Sequence, residues 1–360
     1  PVALEVVVHH EADRALLGLG DGHGSILANR SRGGRAEASP AIPYDRRVDA
    51  LPIGREDVEL AAGIVRGRLH RTPTLSCRTL GADVFLKAEL LQRTGSFKPR
   101  GVLTKLASLT PEEKKRGVIA SSAGNHAAAL AFGAALEGTT ALVVMTSDAS
   151  VLKRDAALGY GAEVDQEASS IAELFGRMDE LQDETGRVLV HPFDDPLVLA
   201  GQGTVGLEIL EDLDGVDTIV VPCGGGGLVS GIAAAAQGVD VEVVPVEPET
   251  SRALHAALEA GSSTPVEAAS IADGLNAPFA GELALRTCQA LGTKPVLVTE
   301  DELAKAFRFL YERAKLACEP AGAAAVAAVL AGKAGGGRTA CVVSGGNVAA
   351  ETAAAILAGR

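Results

Sequence analysis

The chain has no tryptophan, and aromatic residues make up only 3% of its 360 positions. So thin an aromatic set offers little on which to stack nucleic-acid bases. A net charge of -13 likewise lacks the basic footprint of a nucleic-acid binder, and none is expected as a partner. No apolar run approaches the ~18 residues of a membrane span. The longest, Ala127–Leu136 and Ala321–Leu330, are alanine-rich and read as buried helices, so no membrane partner is expected. Glu5, Glu11 and Asp13 interrupt any leader-like apolar stretch. The five cysteines (Cys77, Cys223, Cys288, Cys318, Cys341) include no CxxC pair. They read as free thiols in a reducing compartment, the cytoplasm, and imply no metal cage.

Glycine is abundant instead, with 42 residues, and its distribution is informative. Residues 1–52 carry Gly, Ser and Arg without periodicity and are expected to form a poorly ordered extension, with one short strand at Leu4–His9. From Ile53 the pattern becomes regular. A helical apolar period covers Glu56–Leu69, and strand signals follow at Val84–Lys87, Val118–Ser121, Ala141–Met145, Ala162–Asp165, Val188–His191, Thr218–Val221, Val241–Val246, Val296–Val298 and Thr339–Val343. Helical stretches such as Asn125–Glu137, Ile171–Glu184 and Asp301–Ala317 lie between them. This alternation predicts an α/β fold with mostly parallel sheets covered on both faces. The strands are too many for one compact sheet, so two α/β domains sharing a cleft are expected, with ligands beyond the carboxyl ends of strands.

Four segments carry chemistry. In Thr94-Gly95-Ser96-Phe97-Lys98-Pro99-Arg100-Gly101, a lysine opens a helix beside an aromatic ring. A lone lysine is ordinarily a solvated surface group. A Schiff-base lysine needs the same amine on a positioned stem, partly desolvated. Ser121-Ser122-Ala123-Gly124-Asn125-His126 joins a strand to a helix whose first N–H groups form an anion seat for a carboxylate. Gly224-Gly225-Gly226-Gly227-Leu228 lies between a strand and a helix, where four glycines let amides converge on a phosphate. It is no P-loop, since no Gly-Lys-Ser/Thr follows, and the dinucleotide spacing fails at Ser230. Ser344-Gly345-Gly346-Asn347 ends another strand and offers a hydroxyl to a heterocyclic nitrogen.

In this order the four motifs resemble those of fold-type II pyridoxal-phosphate enzymes, with the tryptophan synthase β-like architecture. Among these they are similar to the threonine/serine dehydratase (threonine ammonia-lyase) family. The resemblance spans about Arg71 to Ala355 and takes in Phe85–Glu89, Ala200–Thr204, Ile271–Leu275 and Cys318–Gly322. It implies a large cofactor domain from 53–116 and 195–360, with a small domain, 117–194, inserted in it. Lys98 would carry pyridoxal phosphate and take the substrate Cα proton. Asn125 would meet the ring oxygen, Gly224–Gly227 and Leu228 the phosphate, Ser344 the ring nitrogen, and Phe97 and Gly274 the ring faces. Ser121, Ser122, Ala123, Gly124 and His126 would surround the substrate carboxylate. A neutral hydroxyl at position 344 leaves the ring nitrogen unprotonated, which favours loss of a β-substituent over transamination. Related racemases carry an acid–base serine where this chain has Ala123. Some relatives bind a divalent cation, for which Glu247 matches a first ligand; Ala253 replaces a carboxylate expected beside it, which argues against the cation. The resemblance also implies a homodimer or homotetramer. With Arg360 soon after Ser344, no C-terminal regulatory domain is expected. The expected activity is conversion of L-threonine, and L-serine, to 2-oxobutanoate, or pyruvate, and ammonia. The alternatives are a sister activity (serine racemase, 3-hydroxyaspartate dehydratase or β-replacement) or a non-catalytic phosphate-ligand-binding protein.

Overall fold

The computed structural model describes residues 51–360 apart from Ala123, Ser150 and Arg360. The expected N-terminal extension falls almost wholly outside the described residues, and the strand at Leu4–His9 and the side chain of Ala123 fall outside them entirely. Two sheets organise the rest. Five strands, β2 (Val84–Ala88), β7 (Thr218–Pro222), β8 (Glu242–Pro248), β9 (Val296–Val298) and β10 (Thr339–Val343), form a parallel array, and β1 (Thr74–Ser76) adds an antiparallel edge in the order β1-β2-β10-β7-β8-β9. The other sheet is parallel throughout, in the order β5 (Glu163–Ala168), β4 (Ala141–Thr146), β3 (Val118–Ser121), β6 (Val188–Leu189). β7 and β10 are buried along their whole length, as strands covered on both faces must be.

Nine of the ten strands overlap the strand signals that alternate with helical stretches in the sequence. β1 gives no such signal because it is a three-residue edge with two exposed positions. The helix expected over Asp301–Ala317 ends sooner: it runs Glu300–Phe309, widens into one π-turn at Leu310–Ala314, and stops where Lys315 adopts φ 61°. The helix expected over Glu56–Leu69 runs Arg55–Val65.

The helix Pro196–Asp212 is the spine between the motifs. It packs on the helix Pro99–Ala107, which begins just after Lys98, and on Gly227–Ala235, which begins in the tetraglycine turn. Both crossings depend on bare backbone. A methyl on Gly201 would lie 2.4 Å from the carbonyl oxygen of Arg100, and one on Gly231 would lie 2.2 Å from that of Leu199.

Beside this crossing lies a buried ionic cluster. Arg100 donates twice to Glu89 (2.8 Å each) and twice to Glu208 (2.7 and 3.0 Å), and Lys87 reaches Glu208 at 2.7 Å and the carbonyl of Thr72 at 2.7 Å. Arg100, Glu89 and Lys87 are fully buried. Burial works against the guanidinium charge, but Glu89 and Glu208 outweigh it and hold its pKa above the ordinary value.

All five thiols are buried and unbonded, and they sit in the two core clusters of the six-stranded sheet. Burial pushes Cys288 and Cys318 up to about 12. Among the described residues no helix is long and apolar enough to cross a membrane.

Candidate active site

The four motif loops converge on one cavity of about 1400 Å³. Phe97, Lys98 and Ser344 line it, as do Ser121, Ser122 and the segment Gly124–His126. The turn Gly224–Leu228 and Gly274 complete the expected set; every expected cofactor and carboxylate residue among those described is present. Glu247 lies elsewhere. Its carboxylate accepts the N–H groups of Leu254 (2.7 Å) and His255 (2.9 Å) at the start of the helix Ala253–Ala260, while burial pushes its pKa up to about 8. No group of three or more His, Cys, Asp or Glu side chains able to hold a metal ion occurs among the described residues.

Lys98 stands at the start of its helix, before Pro99, and donates from Nζ to the carbonyl of Pro192 at 2.8 Å. Its nitrogen lies 5.2 Å from the centre of the Phe97 ring. Burial lowers its pKa to about 8, against the opposing pull of the Glu319 carboxylate. Such an amine gives up its proton far more readily than a solvated lysine.

The tetraglycine turn is shaped by neighbours that leave no room for a side chain. A methyl on Gly225 would fall 2.3 Å from the Phe193 ring. One on Gly226, at φ 90°, would fall 2.2 Å from Cβ of Ala284. Gly224 and Gly227 are hemmed in by the backbones of Leu275 and Phe193. The helix after the turn has no side-chain cap, and neither does Asn125–Glu137. Elsewhere Thr110, Ser170, Asp195 and Thr299 cap their own helices. These two helix starts thus keep N–H groups for anions, one suited to a phosphate and one to a carboxylate.

The residues after β6 form the wall beside Lys98, and the motifs give no sign of them. His191 Nδ1 accepts the N–H groups of Phe193 (3.3 Å) and Asp194 (2.8 Å), so its ring proton sits on Nε2. Burial lowers its pKa, keeping the ring neutral. Its ring meets Phe193 edge-on at 4.7 Å. His126 donates from Nε2 to the carbonyl of Val190 at 2.8 Å, and burial lowers its pKa to about 3, aided by the charge of Lys98. The neutral ring of His126 anchors its helix to the β6 strand end, while the residue itself lines the cavity beside Ser121 and Ser122.

Several buried polar atoms of cavity-lining residues have no partner: Thr94 Oγ1, His126 Nδ1 and both amide atoms of Gln202. Thr94 also adopts φ 61°, a costly conformation for a β-branched residue. Unpartnered polar groups and backbone strain in one place mark a surface shaped for a ligand. A side-chain-free phosphate cradle, an amine of lowered pKa and a buried hydroxyl at Ser344 fit a phosphorylated heterocyclic aldehyde.

Comparison with known proteins points the same way. The model of the pyridoxal-phosphate-dependent enzyme family matches residues 62–345. The L-threonine ammonia-lyase of Thermotoga maritima is 42% identical over 304 residues, which cover 82% of this chain and 76% of that protein. The catabolic L-threonine dehydratase of Escherichia coli is 39% identical over 319 residues, 85% and 95% of the two chains. Among solved structures, the T.th. threonine deaminase superposes with a TM-score of 0.76 at 38% identity, covering 82% of this chain and 99% of that one. Maize serine racemase superposes with a TM-score of 0.79 at 33% identity, covering 83% and 95%.

Proposed function

The chain belongs to the pyridoxal-phosphate-dependent enzymes, and on that premise we propose that it is a threonine ammonia-lyase, removing water and then ammonia from L-threonine and, in the same way, from L-serine. The observation that carries this reading is the Lys98 amine, lowered to about 8 by burial and sharing one cavity with the bare tetraglycine turn. When bound, the cofactor supplies an electron sink for the carbanion formed at the substrate Cα.

The protein's own groups do the rest. Lys98 would hold the cofactor and would accept the Cα proton at Nζ. Amides of Gly224–Gly227 and Leu228 would hold the phosphate, and the Ser344 hydroxyl would serve the ring nitrogen. Asn125 would serve the ring oxygen, and Phe97 and Gly274 the ring faces. Ser121, Ser122 and the open helix start at Gly124 hold the substrate carboxylate. Ala123 provides no proton for the opposite face of Cα, which favours elimination over racemisation although serine racemases share the fold. The domain division is part of the same reading: 117–194 contains all four strands of the smaller sheet, and 53–116 with 195–360 contains the six of the larger. Free thiols and the membership of this family support a cytoplasmic homo-oligomer.

The test is 2-oxo acid release from threonine, serine and 3-hydroxyaspartate, compared by kcat/KM. We expect threonine to lead. A purified enzyme that interconverts L- and D-serine faster than it forms pyruvate would refute the assignment.

A further inference from the structure

A chain of hydrogen bonds crosses the cleft and joins three motifs to Glu319. Asn347 donates from Nδ2 both to the carbonyl of Thr94 and to Oδ1 of Asn125, each at 2.7 Å. Asn125 in turn donates from Nδ2 to Oε1 of Glu319 at 2.7 Å. We propose that Glu319 and Asn347 are positioning residues that lock the Asn125 side-chain amide in one of its two flips, so that a free N–H of its nitrogen remains for the cleft. This inference rests on the functional reading above, in which Asn125 meets the ring oxygen of the cofactor.

The polarity of the chain follows from its ends. A backbone carbonyl and an ionised carboxylate can only accept. Asn347 must therefore turn its nitrogen toward Thr94, and that nitrogen's second proton meets the oxygen of Asn125. Flipping Asn125 would set its oxygen against the Glu319 carboxylate and its nitrogen against the nitrogen of Asn347. Both contacts would be between groups of like polarity, and a hydrogen bond to a carboxylate is among the stronger ones. Glu319 is 3% exposed and has space for this contact only because position 345 is bare: a methyl on Gly345 would lie 2.3 Å from Oε1 of Glu319 and 3.2 Å from Nδ2 of Asn125. With Oδ1 of Asn125 engaged, one N–H remains for the cleft. That N–H stabilises an ionised ring oxygen more than a hydroxyl, because a hydrogen bond to a charged acceptor is the stronger one. Asn347 is exposed, so it can be removed with little disturbance to the core.

The test uses Glu319→Gln, Asn347→Ala, the double variant and Glu319→Asp. In the full-length protein without added cofactor, the Asn125 side-chain amide protons should exchange slowly by NMR and should speed up in both single variants. In the holoenzymes, the ratio of the two visible absorption bands at fixed pH should shift toward the shorter-wavelength form. Cofactor affinity should fall about tenfold, the size of one charge-assisted hydrogen bond. kcat should fall with little change in KM, the double variant should lose less than the sum of the singles, and Glu319→Asp should recover part of the band ratio. Asn125 protons that exchange in the wild type as fast as those of a solvated asparagine would overturn the lock, whatever the enzyme binds. So would unchanged band ratios and affinities in both single variants, or full additivity in the double. A wild type with slow Asn125 exchange but no 2-oxo acid release would instead leave the lock standing and sink the functional reading.

Discussion

Two residues apart on one short segment, Lys98 and Arg100 face opposite kinds of surroundings. Every polar atom of the Arg100 guanidinium has a partner, in a network closed by Glu89, Glu208 and Thr204. On the Lys98 side, hydroxyls, an imidazole nitrogen and a whole carboxamide are buried without partners, and Thr94 holds a strained backbone. A satisfied buried network specifies one arrangement of the helices around it, whereas an unsatisfied one costs stability until a ligand completes it. The contrast assigns Arg100 to holding the scaffold and Lys98 to chemistry.

The comparison can be broken in several places. The largest effect belongs to Lys98→Ala, which should lower turnover by at least ~1,000-fold and abolish the visible band while leaving the melting temperature near that of the wild type. Retained turnover would remove Lys98 from the reaction. Next comes Arg100→Ala, which strands two buried carboxylates and should cost about 3–5 kcal/mol in denaturant unfolding. Arg100→Met should cost much less if Glu89, Glu208 and Lys87 are replaced by apolar residues at the same time. Gly226→Ala should be milder. A side chain at φ 90° and a 2.2 Å approach to Ala284 should weaken cofactor binding by about tenfold, from ~1–3 kcal/mol of local strain, measured as a dissociation constant. A separate comparison concerns Lys98→Met in the protein without cofactor. The pKa of Lys98 falls from 10.5 to about 8 on folding, so below pH 8 folding carries the cost of a desolvated ammonium. Between about pH 8 and 10.5 the unfolded chain binds more protons and wild-type stability rises with pH. Lys98→Met should therefore be the more stable protein at pH 7, and its advantage should shrink across that window. A constant difference from pH 6 to 10 would show that the amine is not desolvated.

Much of this was legible in the sequence, for different reasons in different places. Most of the parallel strands are short apolar runs between turns and helices, and nine strands announce themselves by that alternation with helical stretches. β1 does not, because an exposed edge of three residues has neither length nor alternation. The π-turn at Leu310–Ala314 is silent because Lys315, not a glycine, takes the left-handed position that ends it. At the site, the loops that carry glycines or a helix-opening lysine could be read, since their chemistry demands those residue types. The wall from His191 to Phe193 could not. It works through backbone carbonyls, a fixed tautomer and ring packing, and a linear pattern records none of these. His126 was legible as a position at the helix start, but the bond of its ring to the Val190 carbonyl was not, because that partner lies 64 residues away in the chain. Asn347 and Gln202 were visible within their motifs, but only the folded chain shows what they face.

The placement of the thiols gives the molecule a built-in chemical reporter that reads just one of its two sheets. An alkylating reagent reacts with thiolates, and each of the five sulfurs lies inside the core of the larger sheet. Melting of the smaller sheet would leave all five untouched, so the rate of labelling under mild denaturant times the opening of the larger sheet alone.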